Sequence, residues 1–142
     1  MTAGATNMDS TFATCFFRNE IPFSGIDWNR SATFDPGNPE QLTAPIAGTY
    51  RVTSSLVWAA GAGTVRDLYI RRIIGSGPNV GQSVGQQSVT GPPATTGPTK
   101  QSISFELSLE AGDHVVVQPS TCGANVALES ATLGLNWVGP AA

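Results

Sequence analysis

Two segments of this chain alternate apolar and polar residues with a period of two. Such a pattern buries its apolar set on one side only if the backbone is extended. From Thr49 to Trp58 the even positions are Tyr50, Val52, Ser54, Leu56 and Trp58, while Thr49, Arg51, Thr53 and Ser55 fill the other face. From Ser102 to Glu110 the odd positions Ile103, Phe105, Leu107 and Leu109 alternate with Ser102, Ser104, Glu106, Ser108 and Glu110. Each segment is therefore predicted as a strand with one face in a core and the other in water. Long amphipathic helices are absent from the pattern.

Further strands are predicted at Thr11 to Phe17, Ala32 to Phe34, Leu42 to Ile46, Val65 to Ile74, His114 to Gln118, Val126 to Leu128 and Ala131 to Val138, giving about eight to ten. Turn chemistry separates them: Asp35-Pro36-Gly37-Asn38-Pro39, Ala47-Gly48, Gly61-Ala62-Gly63, Ala111-Gly112-Asp113 and Cys122-Gly123-Ala124-Asn125. The chain of 142 residues holds 16 glycines and 10 prolines and is only 12% charged, which suits short strands joined by many turns. The predicted fold is all-β, an antiparallel β-sandwich or jelly roll in a single domain. Residues 1–9 are expected as a flexible N-terminal arm and residues 10–142 as the jelly-roll domain. The Gly/Pro-rich stretch 75–100 is expected as a long surface loop holding at most one weak strand, Ser83 to Val89.

Charge and composition exclude several classes of function. Seven basic residues against ten acidic ones, a net charge of −3 and no basic run leave no electrostatic footprint for nucleic acid. No stretch approaches the roughly 18 apolar residues of a membrane-spanning helix, and Met1 to Phe12 has neither a charged n-region nor an apolar h-region, so neither a membrane partner nor secretion is expected. Cys15 and Cys122 show no CxxC or Cys/His spacing. They are expected as reduced core residues, with a disulfide as the alternative, since two thiols and one histidine cannot complete a tetrahedral metal shell.

With the strands placed, Phe34-Asp35 followed by Leu42 to Ala59 resembles the tumour-necrosis-factor-like jelly roll, in particular the globular head of complement-type proteins and its phage and bacterial relatives. A Phe-x-Ala-Pro-x-x-Gly-x-Tyr pattern opens a central strand in that family, and Leu42, Ala44, Pro45, Gly48 and Tyr50 occupy the matching places, with Leu42 standing for the usual Phe. Leu107 to Gln118 resembles the family's Leu-x-x-Gly-Asp-x-Val turn, carried by Gly112 and Asp113, and Ala131 to Gly139 resembles its closing strand. The resemblance implies a ten-stranded sandwich that trimerises around a threefold axis and serves in binding and assembly. Independently of it, Gly48 and Gly112 suit turns that need positive φ, Pro45 stiffens the start of a strand, and Asp113 can cap its own turn by accepting a backbone N–H bond.

Catalysis needs ionisable side chains brought together, and the sequence offers no triad, carboxylate pair or metal set. His114, the single histidine, sits beside Asp113 in a turn, where a structural or exposed role is expected over a general base. Asp9, Asp27, Asp35, Asp67 and Asp113 are dispersed, without a calcium-loop spacing. No catalytic residue, metal site or cofactor is expected. The informative residues are apolar ones on the wrong face of alternating strands, namely Val57, Tyr69, Val116 and Val138, with Phe16 beside Phe17. Either strand ends and loops bury them or they cover a subunit interface. Arg66, Asp67, Arg71 and Arg72 cluster within one strand, where they could pair across subunits or form a solvated face.

The expected function is that of a non-enzymatic structural protein of a bacteriophage virion, made in the host cytoplasm. It is expected as a homotrimeric capsid decoration or minor capsid protein on the outer surface, with the major capsid protein or another virion protein as partner. A chain that begins at Met1, with no secretion signal and no stalk, fits that setting better than an animal complement-type head. The alternative is a receptor- or glycan-binding head of a tail or head fibre, contacting a host surface glycan through residues 75–100 or an aromatic such as Trp28.

Overall fold

The computed structural model describes residues 2–3, 6–8, 16–17, 21, 23, 34–35, 37–59, 65–74, 81–90, 99–122 and 126–141. Within them lie ten strands: β1 (Thr2–Ala3), β2 (Thr6–Met8), β3 (Phe16–Phe17), β4 (Gln41–Thr43), β5 (Gly48–Trp58), β6 (Val65–Ile73), β7 (Gly81–Thr90), β8 (Thr99–Leu109), β9 (His114–Cys122) and β10 (Val126–Gly139). All pairings are antiparallel. One sheet runs β1-β10-β5-β8, with β2 also on β10. The other runs β3-β9-β6-β7, with β4 also on β9. After β4 the chain changes sheet at every connection except the β6–β7 hairpin, which is the winding of a jelly roll.

The alternation in β5 sets the geometry of the first sheet. Tyr50, Val52, Leu56 and Trp58 point inward, level with Leu135, Ala131 and Leu128 of β10, and face Leu68 and Ile70 of β6 and Val115 and Val117 of β9. Ile103, Phe105 and Leu107 of β8 pack against this core from its edge. Full burial of such a side chain contributes about 1.5–3 kcal/mol relative to exposure. Polar groups on the inward faces are paired: the Trp58 indole N–H donates to Gln101 Oε1 at 2.6 Å, and the Ser54 hydroxyl donates to the Thr132 carbonyl at 2.8 Å. Unpaired, each would cost about 1–3 kcal/mol.

Several elements differ from the sequence expectation. Val126 to Leu128 and Ala131 to Val138 form one strand, β10, because a bulge between Leu128 and Ser130 absorbs the break in alternation. Residues 1–9, expected as an arm, contribute β1 and β2, which pair along the edge of β10 and satisfy backbone groups that a bare edge would expose. Residues 75–100, expected as a loop with one weak strand at Ser83 to Val89, hold that strand as β7, longer than expected at ten residues and paired with β6 across a register shift between Ile70 and Arg71. Its Gly- and Gln-rich composition makes it a weak strand by propensity, and Gly85 has a packing reason. A Cβ there would lie 2.5 Å from Phe105 Cε1 and 3.1 Å from Ile103 Cδ1, so β7 closes onto β8 only because position 85 lacks a side chain.

Replacing Gly85 with leucine is expected to lower stability by about 2 kcal/mol through overpacking against Phe105. The measurement is a reduced urea midpoint at unchanged m-value. Gly139→Ala, where a Cβ meets nothing within 4 Å, should stay within about 0.5 kcal/mol of wild type.

Candidate functional site

Where the chain turns from β8 into β9, several groups converge on Asp113. Gly112 takes a φ of 91°, a left-handed conformation that other residues adopt only with strain. That turn lets the buried Asp113 carboxylate fold back on its own strand end and accept the Glu110 N–H at 2.9 Å. The same oxygen accepts Arg72 Nε at 3.0 Å and Arg72 Nη2. Backbone bonds complete the corner: the Ala44 N–H donates to the Asp113 carbonyl at 2.8 Å, and the Gly112 N–H donates to the Ala44 carbonyl at 2.9 Å. Leu42 and Ala44 are buried beneath it, Pro45 is exposed, and the Tyr50 hydroxyl donates to the Ile46 carbonyl at 2.7 Å. The residues Leu42, Ala44, Pro45, Gly48, Tyr50, Gly112 and Asp113 thus meet in one corner that couples both sheets.

The residues expected at a subunit interface separate into distinct groups. Val116 is fully buried within the chain, on the face of β9 opposite Val115 and Val117, and has no surface to offer a partner. Arg72 pairs with Asp113 of its own chain, with side chains 22% and 3% exposed. Arg71 donates to Gln118 Oε1 at 3.1 Å, and Tyr69 is half-buried and engaged within the chain. Arg71 and Arg72 thus each have a partner inside the protomer. Val57 is half-buried on the outer face of the first sheet, level with Lys100 and Ser130, and Val138 is exposed. The side chain of Phe16 lies outside the described residues, as do Trp28 and the side chains of Arg66, Cys15 and Cys122.

The two sheets present different outer surfaces. On the outer face of the second sheet Asp67, Ile73, His114, Val116 and Ser120 are buried and Tyr69, Arg71 and Gln118 half-buried, so the Val115-Val116-Val117 run of β9 is apolar on both faces. Asp67 Oδ1 has no hydrogen-bond partner there. The first sheet instead turns Thr49, Arg51, Thr53 and Ser55 of β5 and Ser102, Ser104, Glu106 and Ser108 of β8 toward solvent. Arg51 Nη2 donates to Glu106 Oε1 at 3.0 Å, with both side chains more than half exposed. The Ser55 and Thr132 hydroxyls meet at 2.6 Å. At Gly134 a Cβ would come 2.5 Å from Thr53 Oγ1. The result is a broad face of short polar side chains. Among the described residues no three His, Cys, Asp or Glu side chains are grouped to hold a metal ion.

Sequence reading did not find three of the exposed hydrophobics. Ile46, Ile74, Trp137 and Val138 are 54%, 52%, 50% and 47% exposed, and only Val138 breaks the alternation. Trp137 is in phase with Leu133 and Leu135 and so reads as core. The signal for its exposure is positional: it lies near the end of a 14-residue strand.

Two antiparallel sheets wound in this order match solved structures across nearly the whole chain. The Eiger TNF of S. frugiperda superposes with a TM-score of 0.66 at 13% identity, covering 98% of this chain and 94% of that one. The fold is the TNF-like jelly roll. The globular domain of zebrafish complement 1qA protein gives a TM-score of 0.56 at 13% identity over 91% and 95% of the two chains, and murine APRIL gives 0.55 at 10% over 93% and 97%. No family model matches the chain, and no curated protein matches it. At these identities the likeness concerns the jelly roll itself, with the complement-type head as one of its forms.

Removing the Asp113 carboxylate leaves a largely buried guanidinium and the Glu110 N–H without their acceptor, so Asp113→Ala is expected to cost about 3 kcal/mol. Arg51→Ala, which breaks the exposed pair, should cost no more than about 0.5 kcal/mol. Urea denaturation of the two variants side by side measures the contrast.

Proposed function

We propose that this chain is a non-enzymatic structural protein of a bacteriophage virion, a homotrimeric capsid decoration or minor capsid protein on the outer surface of the particle. The observation that carries the reading is the open outer face of the β1-β10-β5-β8 sheet. On the opposite sheet the outward residues Asp67, Ile73, His114, Val116 and Ser120 are buried and Tyr69, Arg71 and Gln118 half-buried, so among the described residues the first sheet is the more open regular surface for copies of the chain to meet. Its short Ser and Thr side chains and Gly134 let a facing backbone approach closely. The TNF-like fold supports the same reading, since the resemblance implies assembly around a threefold axis. A net charge of −3 per chain suits the outside of a shell filled with DNA, where a basic protein would be drawn to the nucleic acid.

A second reading, a receptor- or glycan-binding head of a fibre, is favoured by the half-exposed indole of Trp137, because an exposed aromatic ring offers a stacking face to a sugar. The two readings differ in stoichiometry. A decoration protein should appear in purified particles at tens to hundreds of copies, measured by band intensity against the major capsid protein. A handful of copies would favour the fibre head, and absence from the particle would overturn both.

A further inference from the structure

Ile46, Ile74, Trp137 and Val138 are the large hydrophobic side chains left exposed among the described residues, and the strand register brings all four to one end of the sandwich. Gly48 is level with Leu109 and Thr49 with Gly139, while Ile73, His114 and Thr43 are level with one another. Ile46 lies in the β4–β5 connection leading to Gly48, Ile74 follows Ile73, and Trp137 and Val138 immediately precede Gly139. The charges nearby are nearly silent. Arg72 and Asp113 neutralise each other, which leaves Glu110 as the exposed charge among the described residues of this end.

Trp137 is built into this end. A Cβ at Gly48 would lie 2.6 Å from the Gly139 carbonyl and in collision with the Trp137 indole nitrogen, so the absence of a side chain at 48 is what seats the ring against the backbone. A half-exposed indole held in this way loses little conformational freedom on docking, which is the character of an interface anchor.

We propose that this end is where copies of the chain meet, with Trp137 as the anchor and Ile46 and Val138 packed around it. The inference rests on the self-association reading and names the part of the surface that drives it. The Ser/Thr face of the first sheet is polar, whereas the core of an interface between like subunits is more apolar than ordinary surface and poor in charge. Four half-exposed side chains present about 400 Å² of apolar surface, close to half of the roughly 800 Å² that one partner contributes to a stable interface. Trp137 and Val138 belong to β10, so the apolar end is continuous with the open polar face, and that face supplies the remaining area. A second copy fits better than a charged partner, because an end with a single exposed carboxylate offers nothing to select opposite charge.

Native mass measured over a concentration series, with circular dichroism as the check on folding, tests this on the full chain and on Trp137→Ser and Ile46→Ser. The expected result is an oligomeric wild type, a dissociation midpoint raised about 30-fold or more by Trp137→Ser, and a smaller shift in the same direction for Ile46→Ser. Should Trp137→Ser fail to fold, Ile46→Ser decides, since its side chain lies in an exposed connection. An oligomeric wild type whose variants dissociate at the wild-type concentration would overturn the inference while leaving self-association standing. A monomeric wild type at every concentration would remove the reading and the inference together.

Discussion

The jelly roll depends on a corner where one residue, Asp113, holds three segments of chain through its carboxylate and its backbone carbonyl. The Asp113 side chain accepts from Glu110 at the end of β8 and from Arg72 of β6, and its carbonyl accepts from Ala44 just beyond β4. These segments come from both sheets, and two of them lie in connections that change sheet. A sandwich wound in this order has long sequence separations between paired strands, so the loop-closure entropy of bringing β4, β6 and β9 together is large. The corner opposes it with charge-assisted bonds in a setting where Asp113 is nearly sealed from water. Such bonds are about twice as strong as neutral ones. Gly112 makes the arrangement possible, since the left-handed turn returns the carboxylate to its own strand end.

From that corner the two sheets diverge in character. The second sheet buries much of its outer face as well as its inner one, which leaves Val116 and His114 inside the protomer and Tyr69 and Arg71 half-buried with partners in their own chain. In the first sheet β5 and β8 alternate over most of their length, so its outer face is largely polar by the same rule that makes its inner face apolar. The surface left open among the described residues is that face and the end of the sandwich where the strands outrun the core.

The central strands were legible because alternation leaves little choice: β5 and β8 were placed to within a few residues, and the Ala111-Gly112-Asp113 turn was placed from its chemistry. Elsewhere the sequence signal was weaker than the tertiary one. β7 has few residues of high strand propensity and forms because β6 offers it a ladder and Phe105 needs the space at Gly85. The bulge near Glu129 makes β10 look like two strands, since one extra residue reverses the phase. Val116 looked like a subunit contact because alternation assumes that one face of a sheet is wet, whereas at Val116 the outer face of β9 is buried within the chain. The strand predicted at His114 to Gln118 continues to Cys122, running through Pro119.

Trp137 shows where alternation stops being informative about burial. Phase specifies which face a side chain takes, whereas depth along the strand specifies whether the opposing sheet still reaches it. β10 has 14 residues and pairs with β5 down to Gly139, while the core cluster on β10 ends at Leu135. A ring in phase with the core but beyond its last layer has an apolar face and nothing in its own chain above it. Leaving a tryptophan half-exposed forgoes part of the roughly 25 cal/mol per Å² that burial would return. Serine at that position would be soluble and would still leave room at Gly48. A large ring over a side-chain-free seat is what the proposed meeting of copies at this end would cover, whereas the stability of the isolated protomer gains little from an indole left half in water.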